Sequence, residues 1–314
     1  MNRGVVIIGS SNIDFVMKME RLPKLGETVT DAEFVQTFGG KGANQAVAVA
    51  RSAAPDHKGK IFFVSCIGSD PAVPAMLKSW KMSGLNLAGL KRTKSALTGA
   101  ALIMVGKAGE NYLSVSPGSN YLLEPSDLER LRPILRRCGV AVFQNELKSG
   151  TTAAGLRLCH EEGVKTVFNF APARELDREI LRYVDILVVN ETEADFLCGS
   201  AVTDADSART AVEKLSEFGV GTVIITLGSA GCLIAGGGEV RSVPAYPVAA
   251  VDTTAAGDTF CGAFASALSE SKALDECAAF ASAAAAISVT RLGAQPSVPR
   301  RDEILAFLAG HPKT

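Results

Sequence analysis

Apolar residues in this chain come in short unbroken runs: Val5 to Gly9, Ile61 to Cys66, Val140 to Phe143, Thr166 to Phe168, Ile186 to Val189 and Thr222 to Leu227. A run that stays apolar at successive positions suits a strand covered on both faces, as in a parallel sheet. Between the runs lie segments with helical periodicity, including Ala43 to Ala54, Ser149 to Glu162, Ala205 to Phe218, Thr259 to Ser269 and Asp275 to Thr290. Strands alternating with helices predict parallel pairing through right-handed crossovers. The expected fold class is therefore α/β, a three-layer arrangement with helices on both faces of a central, mostly parallel sheet.

Two regions break that rhythm. Glu27 to Phe38 and Leu97 to Val115 carry β-branched and aromatic residues, a Gly-containing turn (KAGEN), and no helix long enough for a crossover. They predict a small antiparallel sheet that projects as a lid, formed by about residues 15–38 and 97–118. Such a lid would cover the carboxyl ends of the parallel strands, where ligands of open α/β sheets bind. No Pro/Gly-rich linker cuts the chain, so a single domain over residues 1–314 is expected.

Composition narrows the function. With 32 Lys and Arg against 33 Asp and Glu, no strong field argues for nucleic acid or an anionic membrane as partner. The seven cysteines are scattered and never spaced CxxC, and three histidines offer little to a transition metal. They read as reduced thiols of a cytosolic protein. The opening MNRGVVIIGSSNID has too short an apolar run for a signal peptide or a span, and the ending HPKT is not a peroxisomal signal. A cytoplasmic location is expected.

The stretch TFGGKGANQA, residues 37–46, resembles a phosphate loop at first sight. A Walker A loop requires a hydroxyl residue after its lysine, whereas Lys41 is followed by Gly42 and Ala43. The dinucleotide fingerprint is missing after the first strand too, which runs into Gly9-Ser10-Ser11-Asn12. The stretch offers glycines that allow close backbone approach, and Asn44 as a two-way hydrogen bonder. That suits a neutral polyol; a plain glycine-rich turn opening a helix is the other reading.

A second stretch, VDTTAAGDTF at 251–260, leads into the helical pattern TFCGAFASALS. Small residues let the backbone amides of 255–258 face one point, and the helix behind adds its positive end, which favours an anion there. Asp258 stands at that point, either as an ordinary N-cap or as a general base taking a proton from an attacking hydroxyl. In the second case Ala255, Ala256, Gly257 and Asp258 would form an anion hole for the transferred group.

With GSSNID at 9–14, ETVT at 27–30, FGGKGANQAVA at 38–48, NFAPARELD at 169–177, VNETEA at 189–194, TLGSAG at 226–231, VDTTAAGDTF and TRLGAQPSVP at 290–299, the chain resembles the ribokinase-like (PfkB) sugar kinases. The resemblance spans almost the whole chain in the expected order. It implies a ribokinase-like fold and ATP-dependent phosphorylation of D-ribose at its 5-hydroxyl. It assigns the sugar to Asn12, Asp14, Gly40, Lys41, Gly42, Ala43, Asn44, Glu146 and Asp258, and the base to Asp258. The nucleotide is assigned to Asn190, Thr226, Leu227, Gly228, Ser229, Ala230, Gly231, Gly257, Asp258 and Ser282. Magnesium is assigned to Glu193, mainly through water. An activating potassium ion falls to Asp252, Thr254, Ser288, Arg291, Gly293 and Ser297. A homodimer through the lids is implied as well.

Departures from the family pattern bear on the nucleotide side. Ala230 stands where many relatives carry Lys or Arg, and Ser282 where Asn or His is common. SPGSN at 116–120 matches the family's sugar-proximal segment only in part. The same chemistry on 2-deoxyribose, fructose or adenosine is the nearer alternative. A non-catalytic sugar or nucleotide sensor of the same fold is the more distant one.

Overall fold

The computed structural model describes residues 4–203 and 205–311. The first three residues and the last three, which hold most of the HPKT ending, lie outside the described residues. The strands are Gly4–Ile8 (β1), Asn12–Met19 (β2), Glu33–Gly39 (β3), Ile61–Val64 (β4), Cys66–Ile67 (β5), Lys91–Arg92 (β6), Gly99–Gly106 (β7), Asn111–Ser116 (β8), Cys138–Gln144 (β9), Lys165–Asn169 (β10), Ile186–Asn190 (β11), Thr222–Thr226 (β12), Cys232–Gly236 (β13) and Glu239–Val243 (β14). The helices are Lys41–Ser52 (α1), Val73–Met82 (α2), Pro125–Glu129 (α3), Arg132–Leu135 (α4), Ser149–Glu161 (α5), Glu191–Cys198 (α6), Ala205–Ser216 (α7), Ala256–Ser269 (α8), Leu274–Val289 (α9) and Arg301–Gly310 (α10).

Eight strands form the main sheet in the order β14-β13-β12-β11-β10-β9-β1-β4. From β12 to β4 every neighbour is parallel, while β13 and β14 close one edge as an antiparallel hairpin. All six apolar runs lie in the parallel part. Their residues divide between two cores by alternation: Val5 and Ile7 pack with α1, α2, α8, α9 and α10, whereas Val6 and Ile8 pack with α3 to α7. Burial of both faces is why these strands read as continuous apolar runs. No described helix is long and apolar enough to cross a membrane.

The projecting sheet has the order β3-β2-β7-β8, with β2 antiparallel to β3 and parallel to β7. Its inner strands are β2 and β7, and β2 follows β1 after a three-residue connection; residues 27–32, expected within a strand, lie outside one. In NIDFVMKM the apolar residues run together at 15–17 instead of alternating, so the period-2 signal is weak. The outer strand β8 is exposed along its whole length.

Candidate active site

Helix α8 begins at Ala256, three residues before the start that periodicity suggests, so Asp258 lies in its first turn and does not cap it. The cap position belongs to Ala255, in the left-handed region at φ 58°. A non-glycine residue there costs about 1–2 kcal/mol. Ala256 donates its amide to the Thr253 carbonyl at 3.2 Å. Of the amides of Ala255 to Asp258 expected to form an anion hole, that of Ala256 is therefore already used, while those of Gly257 and Asp258 lie in the first turn and have no acceptor within the helix.

Helix α1 starts beside the same point. Gly40 caps it at φ 86°, and a Cβ there would meet Ser11 Cα at 2.8 Å. The amides of Lys41 and Gly42 donate to Glu146 and to Ser10 Oγ, and that of Ala43 to the Ser10 carbonyl. Those three donors are occupied within the protein, so they are not free to cradle a phosphate. The group it turns toward Asp258 is the Asn44 side chain, whose Nδ2 donates to Asp258 Oδ2 at 3.0 Å. Gln45 Nε2 donates to Asp258 Oδ1 at 2.9 Å.

On the lid side, Asp14 is buried and its Oδ1 has no hydrogen-bond partner among the described residues. Burial, and then the charge of Glu146, push its pKa up to about 7. An orphaned buried acceptor costs free energy until a donor reaches it. A sugar hydroxyl is a donor of the right kind. Asn12 sits beside it, with Oδ1 accepting from Asn120 Nδ2 at 3.0 Å, while Asn120 Oδ1 accepts from the Ser11 amide at 2.9 Å. Burial would lower the Lys41 ammonium, but the charges of Asp258, Glu146 and Glu193 outweigh it and raise its pKa.

The nucleotide-side candidates end neighbouring strands. Asn190 closes β11 and caps α6 through a reciprocal box: its Oδ1 accepts from the Glu193 amide at 2.8 Å, and Glu193 Oε2 accepts from the Asn190 amide at 2.9 Å. Thr226 ends β12, and Leu227 to Gly231 form the tight turn into β13, closed by Leu227 N to Gly231 O at 2.8 Å. Ser282 is buried on α9. Burial raises the Glu193 carboxyl, although the Asn190 amide and Lys41 pull the other way. Its second oxygen takes no part in the box. An acidic oxygen held this way fits a hydrated magnesium ion, which keeps its waters and accepts outer-shell binding.

Asp252 staples two loops, accepting from the Thr254 and Gly293 amides at 2.8 Å each. Burial opposes its ionisation, but these hydrogen bonds hold its pKa below the ordinary value. Ser288 and Ser297 are buried, and Arg291 is tied to Glu303. The Ser288 and Ser297 hydroxyls donate to the Ala285 and Ala294 carbonyls at 2.8 Å each, and among the described residues no cluster of His, Cys, Asp and Glu suits a metal ion.

Several polar residues here were not singled out from sequence. Gln45, Gln144 and Asn169 are joined by hydrogen bonds behind Asp258, Asn120 supports Asn12, and Gln295 Nε2 donates to Asn44 Oδ1 at 3.3 Å. Each meets its partner across a long sequence separation, so spacing carried no signal. All but Gln144 fall within stretches quoted for the resemblance or its partial match, which was the available clue.

The pattern of the pfkB family carbohydrate kinase matches residues 2–301. The ribokinase of Haemophilus influenzae is 39% identical, over 98% of this chain and 99% of its own. Among solved structures, the ribokinase of Thermotoga maritima superimposes with a TM-score of 0.87 at 40% identity, covering 98% of this chain and 99% of its own. The Arabidopsis thaliana ribokinase complexed with ribose and ATP gives 0.89 at 33%, over 98% and 99%. This chain belongs to the pfkB family of carbohydrate kinases.

Proposed function

We propose that the chain transfers the γ-phosphoryl group of ATP to the 5-hydroxyl of D-ribose, yielding D-ribose 5-phosphate and ADP. The observation that carries this reading is the meeting of two helix starts on one carboxylate: Asn44 and Gln45 of α1 both donate to Asp258 of α8. In this reading Asn12, Asp14, Asn44 and Glu146 orient the sugar, with Gly40 to Ala43 as its close wall. Asp258 accepts the O5 proton as O5 attacks the γ-phosphorus and the bond to the β–γ bridging oxygen breaks. In the corner formed by Ala255, Ala256, Gly257 and Asp258, the amides of Ala255, Gly257 and Asp258 stabilise the charge on the transferred oxygens.

The nucleotide lies across Asn190, the Thr226-Leu227-Gly228-Ser229-Ala230-Gly231 turn and Ser282. Glu193 would hold magnesium through water, and when bound the ion supplies charge neutralisation on the phosphates. Asp252, Thr254, Ser288, Arg291, Gly293 and Ser297 would hold potassium beside the anion-hole loop, ordering it from the side. Residues 1–314 act as one kinase domain, with the lid excluding water. Seven free thiols suit a cytoplasmic location.

The same reading makes the protein a homodimer. The lid carries Val16, Val35, Ile103 and Leu113 in cross-strand register on one face, and Leu113 is 62% exposed. Pairing with a second copy would cover that face and the free sheet edges. The activity is tested by scoring ADP release on ribose, 2-deoxyribose, fructose and adenosine, with and without potassium. Ribose is expected to lead the panel; preference for another acceptor would overturn the substrate, and no ADP with any of them the reaction.

A further inference from the structure

We infer that Gln45 is the positioning residue of the Asp258 carboxylate, and that a relay of side-chain amides through Gln144 and Asn169 sets the way Gln45 faces. The inference rests on Asp258 as the base. Gln45 is 0% exposed, so it has no surface to offer a ligand. Its Nε2 donates to Asp258 Oδ1 at 2.9 Å and to Asn169 Oδ1 at 3.0 Å, and its Oε1 accepts from Gln144 Nε2 at 2.7 Å. A glutamine amide has two N–H donors, and both are used. What Gln45 does for the reaction it must therefore do through Asp258.

The orientation of each amide follows from the carboxylate. An ionised carboxylate only accepts, so the Gln45 atom facing it is nitrogen. The Gln45 oxygen then faces Gln144, which must present nitrogen in return. Asn169 presents its oxygen to Gln45 and donates Nδ2 to the Val188 carbonyl at 3.3 Å. Gln144 Oε1 has no partner among the described residues, so Gln144 is oriented by Gln45 and not by its own satisfaction. A reversed Gln45 amide would put oxygen against the carboxylate and nitrogen against nitrogen.

The relay stands on rigid elements. Gln144 ends β9 and Asn169 ends β10, and the two are register partners in adjacent parallel strands. Gly9, just past β1, leaves the room that Gln144 needs: a Cβ there would meet Gln144 Oε1 at 1.9 Å. Asn44 holds the other oxygen of Asp258 but is shared with Gln295. Gln45 is the holder anchored to the central sheet.

The test uses the full chain with Gln45→Leu, Gln144→Leu and Asp258→Asn, alone and combined, with ribose-dependent ADP formation as readout. Loss of one hydrogen bond to a charged group corresponds to about 10- to 100-fold in rate. Gln45→Leu is expected to lower kcat by that factor while ribose KM stays within about threefold. On the Asp258→Asn background the same change is expected to alter the residual rate less than about twofold, because its route is already cut. Unchanged kcat in folded Gln45→Leu, or an equal further loss on that background, overturns the positioning role. If Gln45→Leu does not fold, Gln144→Leu decides: a fall in kcat at steady KM supports the relay, and an unchanged kcat overturns it. Undiminished turnover in Asp258→Asn alone would instead sink the base assignment itself.

Discussion

The side chain of Asn44 donates to the carboxylate of Asp258 at 3.0 Å, across a sequence separation of 214 residues. The contact joins the glycine-rich turn before α1 to the anion-binding corner before α8, and those two helices pack against each other. In the proposed reading one amide serves both the sugar and the base. Asn44→Ala is expected to raise ribose KM and lower kcat together, with kcat/KM falling on the order of 100-fold or more, since two polar contacts go at once. Steady-state kinetics check this; a change confined to KM would separate Asn44 from the chemistry.

Asp14 yields a pH dependence with a definite sign. Its pKa in the folded chain is about 7 against an ordinary 3.8, so the folded state holds this proton more tightly than the unfolded one. The resulting stabilisation is fully present below the ordinary value and is lost as pH rises through about 7. Asp14→Asn is expected to raise Tm at pH 8 by a few degrees and to change it little at pH 4, while ribose affinity collapses. Wild-type affinity for ribose is expected to weaken as pH falls from 8 to 6, because the charged acceptor is lost. Calorimetry across that range tests both.

Two glycines separate packing from chemistry. A Cβ at Gly42 would lie 2.5 Å from the backbone of Gly9 and Ser10, where nothing can give way. At Gly257 a Cβ meets no atom within 4 Å, and its φ is not in the left-handed region. Gly42→Ala should therefore lower Tm, whereas Gly257→Ala should leave Tm unchanged or slightly raised, alanine being the better helix former. Turnover in Gly257→Ala should nevertheless fall about 100-fold or more, because the methyl group occupies the proposed phosphoryl position. Thermal melts paired with turnover distinguish the two.

The lid face gives a prediction about assembly. Leu113→Asp places a charge among Val16, Val35 and Ile103 and should halve the light-scattering mass at micromolar concentration, from two chains to one. A wild-type mass of one chain would contradict the dimer.

How much of this was legible in the sequence varied with how local each signal is. The parallel strands were, since burial on both faces writes itself as a continuous apolar run. The β13–β14 hairpin was less so, although its Gly237-Gly238 turn, at φ 63° and 84°, is the residue pair such a two-residue connection favours. Short capped helices such as α6 have too few turns for a period to emerge, yet the Asn190 and Glu193 box that starts it is visible as N-E-T-E. Asp258 and Asn44 could be singled out by motif. Their hydrogen bond could not, nor could the Gln45 relay, because polar residues on separate elements leave no periodic trace.

Whether Asp258 is the base is decided by Asp258→Asn, followed by ribose calorimetry and ribose-dependent ADP formation on the same preparation. Because asparagine keeps only one of the two acceptors that Asn44 and Gln45 use, Tm is expected to fall by a few degrees while the variant stays folded, with ribose affinity within several-fold of wild type and turnover lower by about 1,000-fold or more. A folded variant that binds ribose and still forms ADP at near wild-type rate would contradict that role.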